Sequence, residues 1–293
     1  MGDVMKLELS SELVGKKWGK LEETVSFRDT TNFAAAFSDM NLCYFADDKA
    51  GGVQVPPLFI VTKTIPFLHS IYEELPREIF DTRVHYTEQV EFYKAILPGQ
   101  KIFLQAQLAA VTPGRAGAQA IFKFEITDEE GEILLTEYHG VVLRGVQCTD
   151  NGKTIEGLPG LFKQEREEIQ PLWEKTVRVE RSFPYIYDAC TRISFGIHTS
   201  PKFARAAGLP DILVPGLASI VFALTEIVNR EADNEPAAVK KVSGRFTGMV
   251  FPEDELIIQL MHKETEGKHT QLFFKVAKKQ GQVILKDGYV ELS

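Results

Sequence analysis

The chain has 293 residues, 44% hydrophobic and 25% charged, with a net charge of -8. That composition supports a substantial core or two fused units. The acidic balance, with a pI near 5.4, excludes a nucleic-acid-binding surface, which needs a concentrated basic face. The basic residues form only short pairs, such as Lys240-Lys241 and Lys278-Lys279, the second in a hairpin and read as solvated. Cys43, Cys148 and Cys190 are odd in number and lack metal-ligand spacing, which points to a reduced, cytoplasmic chain with free thiols and no metal. The opening MGDVMKLELSSELVGKKW has neither a signal-peptide pattern nor a myristoylation site. No apolar run approaches the roughly 20 residues that span a bilayer, so no membrane partner is expected.

In chain order, a first apolar helix is predicted over 58–75, with Pro66 as a weak point. Strands follow over 84–93, 101–111, 118–127 and 133–144, from their period-2 or β-branched and aromatic patterning. Asp128 to Gly131 turns between the last two. Residues 148–174 are polar, contain Gly and Pro, and read as a linker with room for a short helix over 160–168. A second helix over 217–230 is apolar on nearly every side and should be buried all round. Strands over 241–247, 255–263, 269–277 and 283–291 complete the chain.

The two halves repeat. FSDMNLCYFADDKAGGVQVPP (37–57) is a weaker copy of the stretch beginning YDACTRISFGIHTSPKFARAAG at Tyr187. Tyr44 aligns with His198, Ala50 with Ala204, and Pro56-Pro57 with Pro215-Gly216. FYKAILPG (92–99) matches FTGMVFPE (246–253), and QAIFKF (119–124) matches QLFFKV (271–276). Three matched blocks in one order mark an internal duplication. The domains are therefore 1–147, a linker over 148–174, and 175–293. One buried helix followed by antiparallel strands reads as a sheet wrapped around a helix, and two such units can pair sheets to remove an exposed edge. The expected class is α+β, a double hot-dog.

The second-half motif resembles the MaoC-like, R-specific enoyl-thioester hydratases and dehydratases. Their pattern is Tyr, small residues, Ser-Gly-Asp-x-Asn-Pro-Ile-His, then Ala about six residues on and a His-Gly pair beyond. Tyr187, Ile197-His198, Phe203 to Gly208 and Gly216 fit. Ile193 stands where the family has its catalytic aspartate, and Phe195 where it has asparagine. The first half shows the reverse: Asp39 and Asn41 are present while Tyr44 fills the histidine slot. It resembles the noncatalytic repeat of two-repeat members.

The resemblance implies hydration of trans-2-enoyl thioesters of CoA or acyl carrier protein, with no cofactor, and a fused pair that can form a homodimer. A base must take a proton from water, and a helix-terminal N–H must hold the developing oxyanion. Gly216 can supply that N–H; Pro57 has none. His198 and Gly216 are thus the catalytic candidates. Ile193, Phe195, Arg192 and Ser194 are candidates for substrate contact, and Asp39, Asn41 and Tyr44 a first-half remnant. Asp39 and Asn41 also suit a turn or cap. Ser194, Thr191, Arg192 and Asp188 are local polar stand-ins for the absent aspartate, and a carboxylate from a distant loop remains open. Arg192 would otherwise favour an anionic acyl group or a CoA phosphate. Phe195 predicts a short or flat acyl group. His69, His85, His139, His262 and His269 read as structural. Two other functions stay open: a noncatalytic acyl-thioester-binding subunit and a hot-dog thioesterase.

Overall fold

The computed structural model describes residues 7–48, 52–162 and 170–293. Ala50 and most of the short helix expected over 160–168 lie outside the described residues. The first half contains β1 (Lys17–Thr24), α1 (Phe27–Ala36), α2 (Val61–Glu73), β2 (Arg83–Phe92), β3 (Lys101–Thr112), β4 (Gly117–Thr127) and β5 (Ile133–Arg144). The second half repeats it with β6 (Trp173–Arg178), α3 (Phe183–Thr191), α4 (Gly216–Glu231), β7 (Val239–Phe246), β8 (Glu255–Glu266), β9 (His269–Lys278) and β10 (Val283–Leu292).

The strands join into one 11-stranded sheet in the order β1-β3-β4-β5-β2-β7-β10-β9-β8-β6, with Lys153–Thr154 added to β3. The second half of that order mirrors the first. The halves meet where β2 pairs antiparallel with β7, Val90 opposite Val242 and Glu88 opposite Gly244. Each sheet edge therefore ends in the opening strand of its half, and the fold is a double hot-dog. Both edge strands carry charges that discourage further pairing, and this polarity hides them from a search for alternating apolar residues. Each holds one of the two tryptophans. Trp18 Nε1 donates to Glu74 at 2.9 Å and Trp173 Nε1 to Glu231 at 2.7 Å, tying each edge to the end of its own half's helix.

The second helix is buried as expected: Leu217 to Leu224, Ile227 and Val228 are all buried. The sheet covers one side, and an aromatic cluster from both halves covers the other. Phe37 meets Phe222 at 5.2 Å and Phe183 at 5.6 Å between ring centroids. The helix α2 continues through Pro66, which lies on its exposed face. The connection expected over 148–174 is partly strapped to the sheet. Gln147–Cys148 pairs with Glu8–Leu9, and Trp173 and Glu174 already belong to β6. Lys278, read as solvated, is instead 11% exposed and bonded to Asp254 at 2.7 Å.

Candidate active site

Each half carries a helix-and-loop segment between its opening strand and its buried helix. In the second half, α3 ends at Arg192, which adopts the left-handed conformation at φ 60°. Ser38 does the same in the first half at φ 55°. These are aligned positions, so the duplication preserves a backbone shape that normally favours glycine. The chain then turns through the helical turn Gly196–Thr199, which carries His198.

His198 is fixed from two directions. Its Nδ1 lies 2.6 Å from the Leu213 carbonyl, and the Leu213 N–H donates back to Ile197 at 3.0 Å. A carbonyl only accepts, so Nδ1 carries the proton and Nε2 is left with a free lone pair. Burial lowers the His198 pKa, while the Leu213 bond and the Asp188 charge push it partly back. The imidazole is therefore neutral near pH 7, with Nε2 as a base. Three residues beyond Leu213, Gly216 opens α4. Its N–H has no partner within the helix, and no side chain caps that end. The helix dipole adds positive potential there. One short run of backbone thus holds an imidazole with a free lone pair and a helix-terminal N–H, groups able to act as a base and as an oxyanion donor.

The other candidates fall in different places. Ile193 is buried in the core at 7% exposure, so the slot of the absent carboxylate is filled by an apolar plug. Phe195 is exposed at the rim, its ring 6.0 Å from His198 and 5.7 Å from Phe203. Arg192 is mostly exposed and reaches Asp29 of the first half at 3.0 Å; Ser194 is exposed.

The first-half remnant is closed. The Asp39 carboxylate is buried and accepts from the Asn41 N–H and from Thr225 and Asn229 of α4, while burial raises its pKa. Asn41 caps the following turn through the Cys43 N–H at 3.2 Å. Tyr44 is fully buried. With Pro57 and α4, Asp39 and Tyr44 line a void of about 20 Å³, room for a water and not for a thioester.

Sequence reading missed a buried polar cluster beside the junction. A bulge in β2 between His85 and Thr87 brings His85 and Glu88 to one face, although an i,i+3 spacing would otherwise separate them. His85 Nε2 and His139 Nδ1 lie 3.0 and 3.2 Å from the same oxygen of Glu88. Their ligand atoms all lie within 4.8 Å, close enough to hold a metal ion. An imidazole binds a metal in its ring plane, however, and these rings stack at 4.0 Å with 22° between planes. That arrangement suits two N–H donors on one carboxylate better than two lone pairs on one ion. The two histidines hold the Glu88 carboxyl below the usual range against its burial. Neighbouring Glu137 accepts from Thr64 of α2 at 3.0 Å, and burial, then the Glu88 charge, pushes its carboxyl well above the usual range. The cluster approaches the N-terminal end of α4, because His85 packs at 4.5 Å on Phe246, the side chain nearest Gly216.

His69, on α2, also faces the site. Burial first, then the charges of Arg83 and His198, lower it to about 4. His139 is likewise lowered to about 4, mainly by burial. Both fall from an ordinary 6.5, so below that pH the unfolded chain binds protons that these folded-state groups refuse. Stability is therefore lost as pH falls from about 6.5 towards 4. The melting temperature should drop across that window, and His69→Asn should shallow the slope; parallel curves would contradict the assignment.

Residues 174–283 match the family described as MaoC like domain. The chain carries a MaoC-like domain. It is 28% identical over 256 residues to "Enoyl-CoA hydratase 2, peroxisomal" of Arabidopsis thaliana, covering 82% of this chain and 78% of that protein. It is 30% identical over 217 residues to "Peroxisomal multifunctional enzyme type 2" of Drosophila melanogaster, covering 73% of this chain. This chain spans only 35% of that longer fly protein. The crystal structure of a MaoC-like dehydratase from Phytophthora capsici superposes with a TM-score of 0.84 at 18% identity, covering 97% of each chain. That likeness shows the fold across both halves. The MaoC-like half is the one that holds His198 and Gly216. Among the described residues, no helix is long and apolar enough to cross a membrane.

Proposed function

We propose that the chain interconverts trans-2-enoyl and (R)-3-hydroxyacyl thioesters by adding or removing water at the MaoC-like half. The observation that carries this reading is the free Nε2 of His198, held by the same backbone run that presents the Gly216 N–H. The plant relative is named as an enoyl-CoA hydratase, which supports the substrate class.

In the hydration direction, His198 Nε2 takes a proton from water and the hydroxide oxygen bonds to C3. The C2–C3 π electrons move onto the thioester oxygen, where the Gly216 N–H stabilises the charge. The imidazolium then returns its proton to C2. The net change is one water added, with His198 regenerated and no cofactor required. CoA and acyl carrier protein are both within this proposal, as is self-association into a dimer. The three thiols are free, which supports a reducing compartment, and the cytoplasm is the one proposed; the plant and fly relatives are peroxisomal by name.

Loss of enoyl absorbance with crotonyl-CoA and longer trans-2-enoyl-CoAs tests the reaction; no turnover of any of them would refute it. Phe195 at the rim favours the shorter members of a series from about four to sixteen carbons, and a preference for the longest would contradict that. A second reading, a noncatalytic acyl-thioester-binding subunit, is favoured by one observation, the buried Ile193 in the carboxylate slot. Binding of a saturated acyl-CoA without hydration of the enoyl series would support it.

A further inference from the structure

The internal repeat gives a way to ask which side chains line the second-half site. The small first-half void is walled by Ala34 of α1, Asp39, Tyr44, Pro57 and, from the opposite half's helix, Thr225 and Val228. The duplication aligns Tyr44 with His198, Asp39 with Ile193 and Pro57 with Gly216. At the same spacing Ala34 corresponds to Asp188 of α3. Val228 lies as far beyond Gly216 as His69 lies beyond the aligned Pro57, so His69 is its counterpart. The wall that is Ala34 and Asp39 in one half is therefore Asp188 and Ile193 in the other. The carboxylate is lost from one place and gained five residues earlier.

Two further observations point to Asp188. Its Oδ1 is buried and has no hydrogen-bond partner, so an acceptor is held out of bulk solvent with its lone pairs unused. Such an atom carries a desolvation cost that a bound water would offset. Asp188 is also the carboxylate whose charge favours the His198 imidazolium. His69, on α2, is the neighbouring imidazole and is held neutral.

We propose that Asp188 is the catalytic carboxylate of this site, binding the reacting water together with His198 in place of the aspartate replaced by Ile193. This rests on the hydratase reading above. Oδ1 of Asp188 accepts one hydrogen of the water while Nε2 of His198 removes the other as the oxygen bonds to C3. The imidazolium formed is stabilised by the Asp188 charge and passes its proton to C2. Asp188 only accepts a hydrogen bond in this scheme, and no co-reactant is needed.

The test compares wild type, Asp188→Asn, His198→Ala and the double variant Asp188→Asn/Ile193→Asp in crotonyl-CoA hydration. Asp188→Asn should lower kcat by about 10²-fold or more. The double variant, which returns a carboxylate to the aligned position, should recover a substantial part of that loss. A purely structural role for Asp188 would not give rescue from position 193. An active wild type that needs His198 but is unaffected by Asp188→Asn overturns the Asp188 assignment and leaves the hydratase reading standing. An inactive wild type defeats the hydratase reading instead. The pairing is then still decided by NMR titration of the His198 imidazole, whose pKa should fall in Asp188→Asn. An unchanged His198 titration overturns the pairing whatever the activity.

Discussion

His198→Ala should abolish measurable hydration of enoyl thioesters, a loss of about 10²–10⁴-fold in kcat, while the protein stays folded. The side chain is only partly buried and makes one backbone bond, from Nδ1 to Leu213. Losing that bond costs about 1 kcal/mol of stability, a small fraction of what a domain this size holds. A steady-state assay with a thermal melt on the same sample separates the two effects. Undiminished turnover would remove His198 from the chemistry. A large fall in melting temperature would mean that the Leu213 clamp is structural first.

Gly216→Pro is the second large effect and the cleaner deletion. Proline is favoured at the first position of a helix because its missing N–H has no helical partner to lose. The first half already shows this arrangement, since Pro57 opens the segment leading into α2. The substitution should therefore preserve α4 and remove only the oxyanion donor, costing about 10²–10³-fold in kcat. In Gly216→Ala the added Cβ would meet Phe246 at 3.8 Å, an ordinary contact, and the N–H remains. The alanine variant should lose far less than the proline variant, and that contrast is the readout. Equal losses would point to a steric effect at Phe246 in place of a lost donor.

The duplication, the buried helices and the inner strands are legible in the sequence because each follows from local periodicity. The segment over 217–230 is apolar on every face, and only burial on every side satisfies such a helix. The edge strands β1 and β6 are not legible in this way, because a polar edge needs no alternation and is recognised only once its partner is known. Arg192 in the left-handed region gives no signal by residue type; its alignment with Ser38 supports it only after both conformations are seen.

The site divides along the same line. The sequence by itself marked His198 and Gly216 as the candidate pair, showed that Pro57 has no N–H to match that of Gly216, and showed that no carboxylate stands at Ile193. These statements depend on residue identity at aligned positions, which a chain carries without being folded. Only the tertiary structure decided what faces the site from elsewhere. His69 comes from the other half's helix, and His85 and Glu88 share a face through a bulge. Those relations depend on a sheet that pairs β2 with β7 and on segments that pack across the junction, and no local pattern in the sequence encodes a contact between residues so far apart along the chain.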